Sequence, residues 1–287
     1  MIEIEKPSQM QSTVIEEKKA GQKIGVVPTM GYLHEGHAAL LREARKENDI
    51  VVLTIFVNPA QFGPNEDFER YPRDIEHDRN IAEREKADYI FHPSVDDMYP
   101  EGFSTYIDVE GITHPLEGEW RPGHFRGVTT VVMKLFQITQ PDNAYFGQKD
   151  AQQLMVVKKM VRDLQMPVTI RHIETVREKD GLAMSSRNAY LSPQERNDAP
   201  ILYKSLCEAH ERIRSGERSR KKLVNKIKEN INSIESASID YVEIVDPETF
   251  GVVERMENSR EYCIALAVRI ARTRLIDNVF VKTVNNS

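Results

Sequence analysis

The chain has 287 residues, 40% of them apolar and 29% charged, with a formal net charge of -6 at pH 7; that length buries a sizeable core in one large domain or two ordinary ones. The acidic balance argues against a nucleic-acid partner, and neither a charged-then-apolar leader nor an apolar run near the roughly 18 residues of a membrane span is present. Two lone thiols, Cys207 and Cys263, read as packing residues in a reducing, cytoplasmic setting with no disulfide framework.

In chain order, short apolar runs predict strands at Ile24–Val27, Ile50–Val57, Tyr89–His92, Ala144–Phe146 and Thr169–Thr175. Amphipathic patterns between them predict helices at His37–Asn48, Asp74–Lys86, Gly127–Thr139 and Ala151–Leu164. Strand–helix alternation argues for a Rossmann-like, doubly wound parallel α/β sheet over residues 1–188, with ligands beyond the carboxyl ends of its strands. After Ser192-Pro193 the texture changes. One long helix is expected over Pro193–Ser215 and a basic one over Arg218–Ile234, followed by strands at Ile239–Val245, Tyr262–Ile270 and Asn278–Val284. These make a second, smaller α+β domain over 189–287. The run R-S-R-K-K at Arg218–Lys222 reads as a solvated helix start, since no aromatics are interleaved with it.

Four motifs fall at predicted strand ends. The first, P-T-M-G-Y-L-H-E-G-H, sets His34 and His37 around Gly36 at a helix start. It is one residue short of the zinc motif H-E-x-x-H, whose histidines stand at i and i+4 on an established helix. A helix start with two imidazole donors suits phosphate oxygens better than a metal, and Gly36 would let a ligand approach the backbone; an ordinary cap with two exposed histidines is the plain alternative. The second, F-V-N-P-A-Q-F, offers the neutral amides of Asn58 and Gln61, which can donate to a carboxylate and accept from a hydroxyl. The third, Y-F-G-Q-K-D-A-Q-Q, puts Lys149 and Asp150 above a helix carrying Gln152 and Gln153, where a lysine suits a polyphosphate. The fourth, G-L-A-M-S-S-R-N, places two hydroxyls beside the Arg187 guanidinium. One doubly wound sheet brings all four to one edge. The joint reading is a nucleoside triphosphate site without a G-x-x-x-x-G-K-[ST] loop.

Together these motifs, in this order from Pro28 to Asn188, resemble the pantoate–β-alanine ligase (pantothenate synthetase) family, within the nucleotidyl-transferring superfamily that includes class I aminoacyl-tRNA synthetases. The resemblance implies ATP-dependent condensation of pantoate with β-alanine through a pantoyl adenylate, with Mg²⁺, AMP and pyrophosphate, in a homodimer. It implies that Met30, Gly31, Tyr32, Leu33, His34, Glu35, Gly36 and His37 line the ATP site, with His37 as proton donor. Gly147, Gln148, Lys149 and Asp150 would contact ATP, as would Val176 on the adenine side and Met184, Ser185, Ser186 and Arg187 at the phosphates. Gln61 and Gln153 would hold pantoate, with Asn58 beside them. His34, Lys149 and Arg187 would join His37 in stabilising developing charge, Asp78 is the carboxylate offered for the metal, and the second domain would close as a lid hinged near Asn188–Pro193.

The alternative is a nucleotidyltransferase acting on a phosphate-bearing acceptor such as phosphopantetheine; it shares the histidine corner but not the Asn-Pro-x-Gln and Gln-Lys-Asp pair. A tRNA synthetase is disfavoured by the acidic charge and the short second domain. A nucleotide-binding regulator without catalysis would be expected to lack one of His34, His37, Lys149 or Arg187, and none is missing.

Overall fold

The computed structural model describes residues 1–64 and 66–284. Strands β1 (Ile2–Ile4), β2 (Ile24–Thr29), β3 (Ile50–Ile55), β4 (Tyr89–Phe91), β5 (Asn143–Gly147) and β6 (Thr169–Ile173) form one sheet in the order β1-β4-β3-β2-β5-β6. Every pairing in it is parallel, so each connection must cross over. Helices α1 (Pro7–Lys19), α2 (Glu35–Glu47), α3 (Ile75–Arg84), α4 (Val95–Met98), α5 (Glu117–Trp120), α6 (His124–Thr139) and α7 (Ala151–Asp163) lie in those connections.

Strand period sends neighbouring residues to opposite faces. Val26, Val52 and Ala144 pack with the apolar sides of α1, α6 and α7. Val27, Val51, Leu53 and Tyr145 pack with Ala38, Leu41 and Ala44 of α2 and Ile81 of α3. The sheet is therefore covered on both faces, as the doubly wound reading expects. From β2 the chain runs outward through β3 to β4, then returns to the other flank of β2 as β5. The order reverses there, which opens a crevice beyond the carboxyl ends of β2 and β5.

The second unit contains α8 (Pro193–Asp198), α9 (Ile201–Arg214), α10 (Arg220–Ile231) and an antiparallel sheet of β7 (Ala237–Val245), β8 (Glu261–Ile270) and β9 (Thr273–Lys282). Strand β8 is buried on both faces. Its Tyr262, Ile264, Leu266, Val268 and Ile270 pack under α9 and α10, whereas Cys263 and Ala265 belong to the core of the first unit. Leu182, from before residue 188, joins the second core. The last three residues of the expected 189–287 span lie outside the described residues.

Two expectations need correction, and two elements went without one. The single helix over 193–215 is two, because Pro200 has no N–H to continue α8 and instead precedes α9. Strand β9 starts at Thr273, five residues before Asn278; Arg274 and Asp277 disguise it as a loop because both turn into ion pairs across the domain interface. Strand β1 and helix α1 were not expected, being a three-residue edge strand and a helix that buries only Met10 and Val14.

Candidate active site

The crevice holds a cavity of about 210 Å³, and its first wall is the turn from β2 into α2. His34 is the cap of α2: its Nδ1 accepts the Gly36 N–H at 3.1 Å, while His37 Nδ1 accepts the His34 N–H at 3.2 Å. With both Nδ1 atoms accepting, each neutral ring carries its proton on Nε2. The rings lie 4.1 Å apart and both line the cavity. Gly36 is required from within: a Cβ there would stand 2.8 Å from the His34 ring. Burial, with Lys149 nearby, lowers the His34 pKa to about 4. Burial and the His34 ring hold His37 well below its ordinary value. Both imidazoles are thus neutral at pH 7, and what they offer an anion is N–H donation.

The turn itself is braced from behind. Gly31 and Tyr32 adopt positive φ, and the Asp78 carboxylate accepts the N–H groups of Tyr32 at 2.9 Å and Leu33 at 2.6 Å. Asp78 is only 1% exposed, and burial raises its pKa despite those bonds. Its two oxygens are committed to the loop, so it does not fit the metal-ligand role expected of it. Met30, His34, Gly36 and His37 reach the cavity. Gly31, Tyr32 and Leu33 form the braced turn behind them, and Glu35 pairs outward with Arg42.

The second wall follows β3. Asn58 does not reach the cavity; it is buried, donates to Gln61 Oε1 and the Gly127 carbonyl at 3.1 Å each, and accepts the Tyr99 hydroxyl at 2.8 Å. Its work is to aim Gln61, which lines the cavity with its amide nitrogen 3.1 Å from Met30 Sδ. The Gln61 carbonyl bonds His124 Nδ1 at 2.9 Å, and Arg121 approaches His124 Nε2 at 3.1 Å. Burial, with Arg121 beside it, lowers the His124 pKa to about 4. Facing Gln61 is an apolar patch of Phe56, Val128, Val131, Val132 and Leu135. Helix α6 buries most of its length, and its apolar face reads in the sequence equally well as plain core.

The remaining walls carry charge. Lys149 and Asp150 follow β5 in a short 3₁₀ turn, 3.6 Å apart, and both line the cavity. Gln152 is a structural residue, accepting the Glu117 N–H and donating to the Ile112 and Pro115 carbonyls. Gln153 faces the cavity. Gln148 is in the same turn as Lys149 but off the cavity wall. Val176 accepts the Met184 N–H at 3.0 Å, and both line the cavity with Ser185, Ser186 and Arg187. Ser186 Oγ donates to the Tyr32 carbonyl at 3.2 Å, closing the fourth motif onto the first. Arg187 donates twice to Asp67, at 2.9 Å each. Nothing in the sequence singled out Asp67, because a carboxylate 120 residues away becomes a partner only on folding.

Beyond Lys149 and Arg187 the crevice opens into a cleft of about 500 Å³ between the two units. Ion pairs clasp its sides: Arg274 binds Glu117 at 2.8 Å through both terminal nitrogens, and Arg177 binds Asp277 at 2.7 and 2.9 Å. Arg274, Arg121 and Tyr241 together hold the buried Glu117 carboxyl down at about 2 against its desolvation. A hinge at Asn188–Pro193 would have to part these contacts. Arg70 and Arg272, on opposite sides of the cleft, have no ion-pair partner among the described residues.

Among the described residues no group of three or more His, Cys, Asp or Glu side chains could hold a metal ion. Mg²⁺ commonly takes one or two carboxylates and completes its shell with substrate phosphates and water. Asp150, about half exposed at the cavity rim, fits that lesser role.

A switch-point crevice with imidazole, ammonium and guanidinium donors on one side and two amides against an apolar patch on the other defines an α/β enzyme that brings a nucleotide together with a small acid. The family model described as pantoate-beta-alanine ligase matches residues 3–280, and the chain belongs to that family of ligases. Pantothenate synthetase of Acetivibrio thermocellus is 55% identical over 279 residues, covering 97% of this chain and 99% of that protein. The Thermotoga petrophila protein of the same name is 53% identical over 278 residues, covering 97% and 99%. The crystal structure of pantothenate synthetase from Thermus thermophilus superposes with a TM-score of 0.90 at 45% identity, covering 97% of this chain and 99% of that one. A pantoate-beta-alanine ligase from Francisella tularensis, solved with beta-gamma ATP and beta-alanine, superposes with a TM-score of 0.80 at 38% identity, covering 97% of each chain.

Proposed function

We propose that this ligase joins pantoate to β-alanine with ATP in two steps within one crevice, through a pantoyl adenylate. In the first, a pantoate carboxylate oxygen attacks the α-phosphorus of ATP, the bond to the β-phosphate oxygen breaks, and its electron pair leaves with pyrophosphate. In the second, the β-alanine amine attacks the acyl carbon, the bond to the AMP oxygen breaks, and the amide forms as the nitrogen loses a proton. The observation that carries this reading is the convergence of His34, His37, Lys149 and Arg187 on one cavity with Gln61 and Gln153.

The chain's residues divide the work by chemistry. An acid anion and a triphosphate repel, so their approach needs preorganised donors and fixed charge. The Nε2–H groups of His34 and His37 supply the donors, His37 toward the reacting phosphate, and Lys149 and Arg187 supply the charge. Gln61, aimed by Asn58 and by His124 at its carbonyl, would hold pantoate with Gln153, the Phe56–Val128–Val132 patch taking its branched carbon. Val176 would flank the adenine side, with Met184 to Arg187 toward the phosphates. Mg²⁺, when bound, neutralises phosphate oxygens, and Asp150 would be its protein ligand. The cleft beyond Lys149 would receive the β- and γ-phosphates and release pyrophosphate, with Arg70 and Arg272, which have no ion-pair partner among the described residues, as its cations. The homodimer and the cytoplasmic setting belong to the same reading through the family resemblance; among the described residues no helix is long and apolar enough to cross a membrane.

Pantoate should drive exchange of labelled pyrophosphate into ATP with no β-alanine present. Exchange that requires β-alanine, or none at all, would reject the adenylate.

A further inference from the structure

Lys149 faces the cavity from a turn with little local support. Among the described residues the 3₁₀ turn Gln148–Asp150 has no side-chain cap, and neither has α7, which follows it directly. Its carbonyls are instead tied from the other unit. Asn278 of β9 donates Nδ2 to the Gln148 carbonyl at 3.0 Å and to the Lys149 carbonyl at 2.7 Å. The amide cannot be turned the other way, since Oδ1 would then face two carbonyl oxygens. Oδ1 is left buried with no hydrogen-bond partner among the described residues. A side chain retained for packing would not carry that cost.

Asn278 is itself held in place. Its N–H donates to Asp277 Oδ1 at 2.8 Å. Asp277 takes two bonds from Arg177, whose guanidinium stacks 3.5 Å from the Tyr203 ring centre. Arg177 follows Val176 on the cavity wall. One short segment of β9 therefore grips the two loops that meet the nucleotide from that side.

We propose that Asn278 is a positioning residue for Lys149, through which the second unit sets the register of the catalytic ammonium. This rests on the reading of Lys149 as a phosphate-binding charge. A displacement of about 1 Å at a reacting group can cost on the order of 100-fold in rate.

The test uses the full-length enzyme. Asn278→Ala removes the donor, and Asn278→Asp keeps the shape while turning an oxygen toward both carbonyls. In each, pantoate-dependent pyrophosphate exchange should fall roughly 10- to 100-fold with cooperative melting retained, and KM for β-alanine should stay within about twofold. In a Lys149→Gln background the same substitutions should cost less than about twofold further, because the group they misplace is gone. Wild-type exchange rates in both variants, or an equal fold-loss with and without Lys149, would overturn the proposal. So would loss of cooperative melting in both variants, which would make Asn278 a determinant of fold stability. Failure of exchange in the unaltered enzyme would instead strike the adenylate reading.

Discussion

The His34 ring occupies the space in which any side chain at Gly36 would have to stand, so the glycine between the two histidines exists for its neighbour. To the expected reason for it, close approach of a ligand to the backbone, the structure adds an intramolecular one, and Gly36 also lines the cavity. The cap and the proposed catalytic corner are one object: the imidazole that ends the loop and starts α2 also lines the cavity.

Gly36→Ala should therefore push the His34 ring off its cap. Turnover is expected to fall on the order of 100-fold, while the melting temperature drops only modestly, because α2 keeps its buried face of Ala38, Leu41 and Ala44. Steady-state kinetics beside a melting curve checks this; turnover within a factor of two would show that the ring has room to move.

Proton linkage at the buried imidazoles has a definite sign. His34 and His124 titrate near 4 in the folded chain, against about 6.5 when unfolded. As pH falls from 6.5 toward 4 the unfolded chain binds protons first, so stability present above pH 6.5 is lost across that window, by up to about 3 kcal/mol per ring. Denaturant titrations between pH 7.5 and 4.5 should record that decline. Because the rings of the free enzyme are already neutral, kcat/KM for ATP should show no histidine limb between pH 6 and 8. A limb there would mean that an imidazolium does the binding.

Much of the fold was legible in the sequence because the parallel strands of the sheet interior are continuous apolar runs, and the long helices between them are amphipathic. What stayed hidden was charge that folding turns inward. Arg274 and Asp277 make β9 look like a loop until Glu117 and Arg177 stand opposite them. Among the site residues, chemical type alone separated neither Gln152 from Gln153 nor Asn58 from Gln61; in each pair one member is consumed by backbone or side-chain partners that no local pattern announces. The same holds for Asp78, whose position in an acidic helix start hides that its carboxylate is spent on a turn 45 residues earlier.

Asp67 anchors Arg187 through two bonds of 2.9 Å. Removing it frees a side chain that would lose about 2 kcal/mol of rotamer freedom on binding phosphate, a cost expected to exceed the gain from one fewer anion nearby. Asp67→Ala is expected to raise KM for ATP roughly threefold to tenfold and to leave KM for pantoate unchanged. Initial-rate measurements varying each substrate decide it, and a tighter KM for ATP would reverse the ranking of the two effects.

Arg272→Gln should weaken product inhibition by pyrophosphate severalfold while inhibition by AMP is unaltered, because only the former needs the outer cleft. The single tryptophan, Trp120, lines that cleft and is 47% exposed, so its fluorescence offers an independent titration of pyrophosphate. Equal inhibition constants for variant and wild type would remove the cleft from the leaving group's path.

Strand β8 is shared property: even-numbered residues face one interior and Cys263 and Ala265 face the other. Severing the polypeptide between the units would strand a greasy seam on each half, so neither piece is a portable module. The carboxy-terminal portion can drift, shorten or be exchanged during evolution only as far as that strand still mates with its distant host.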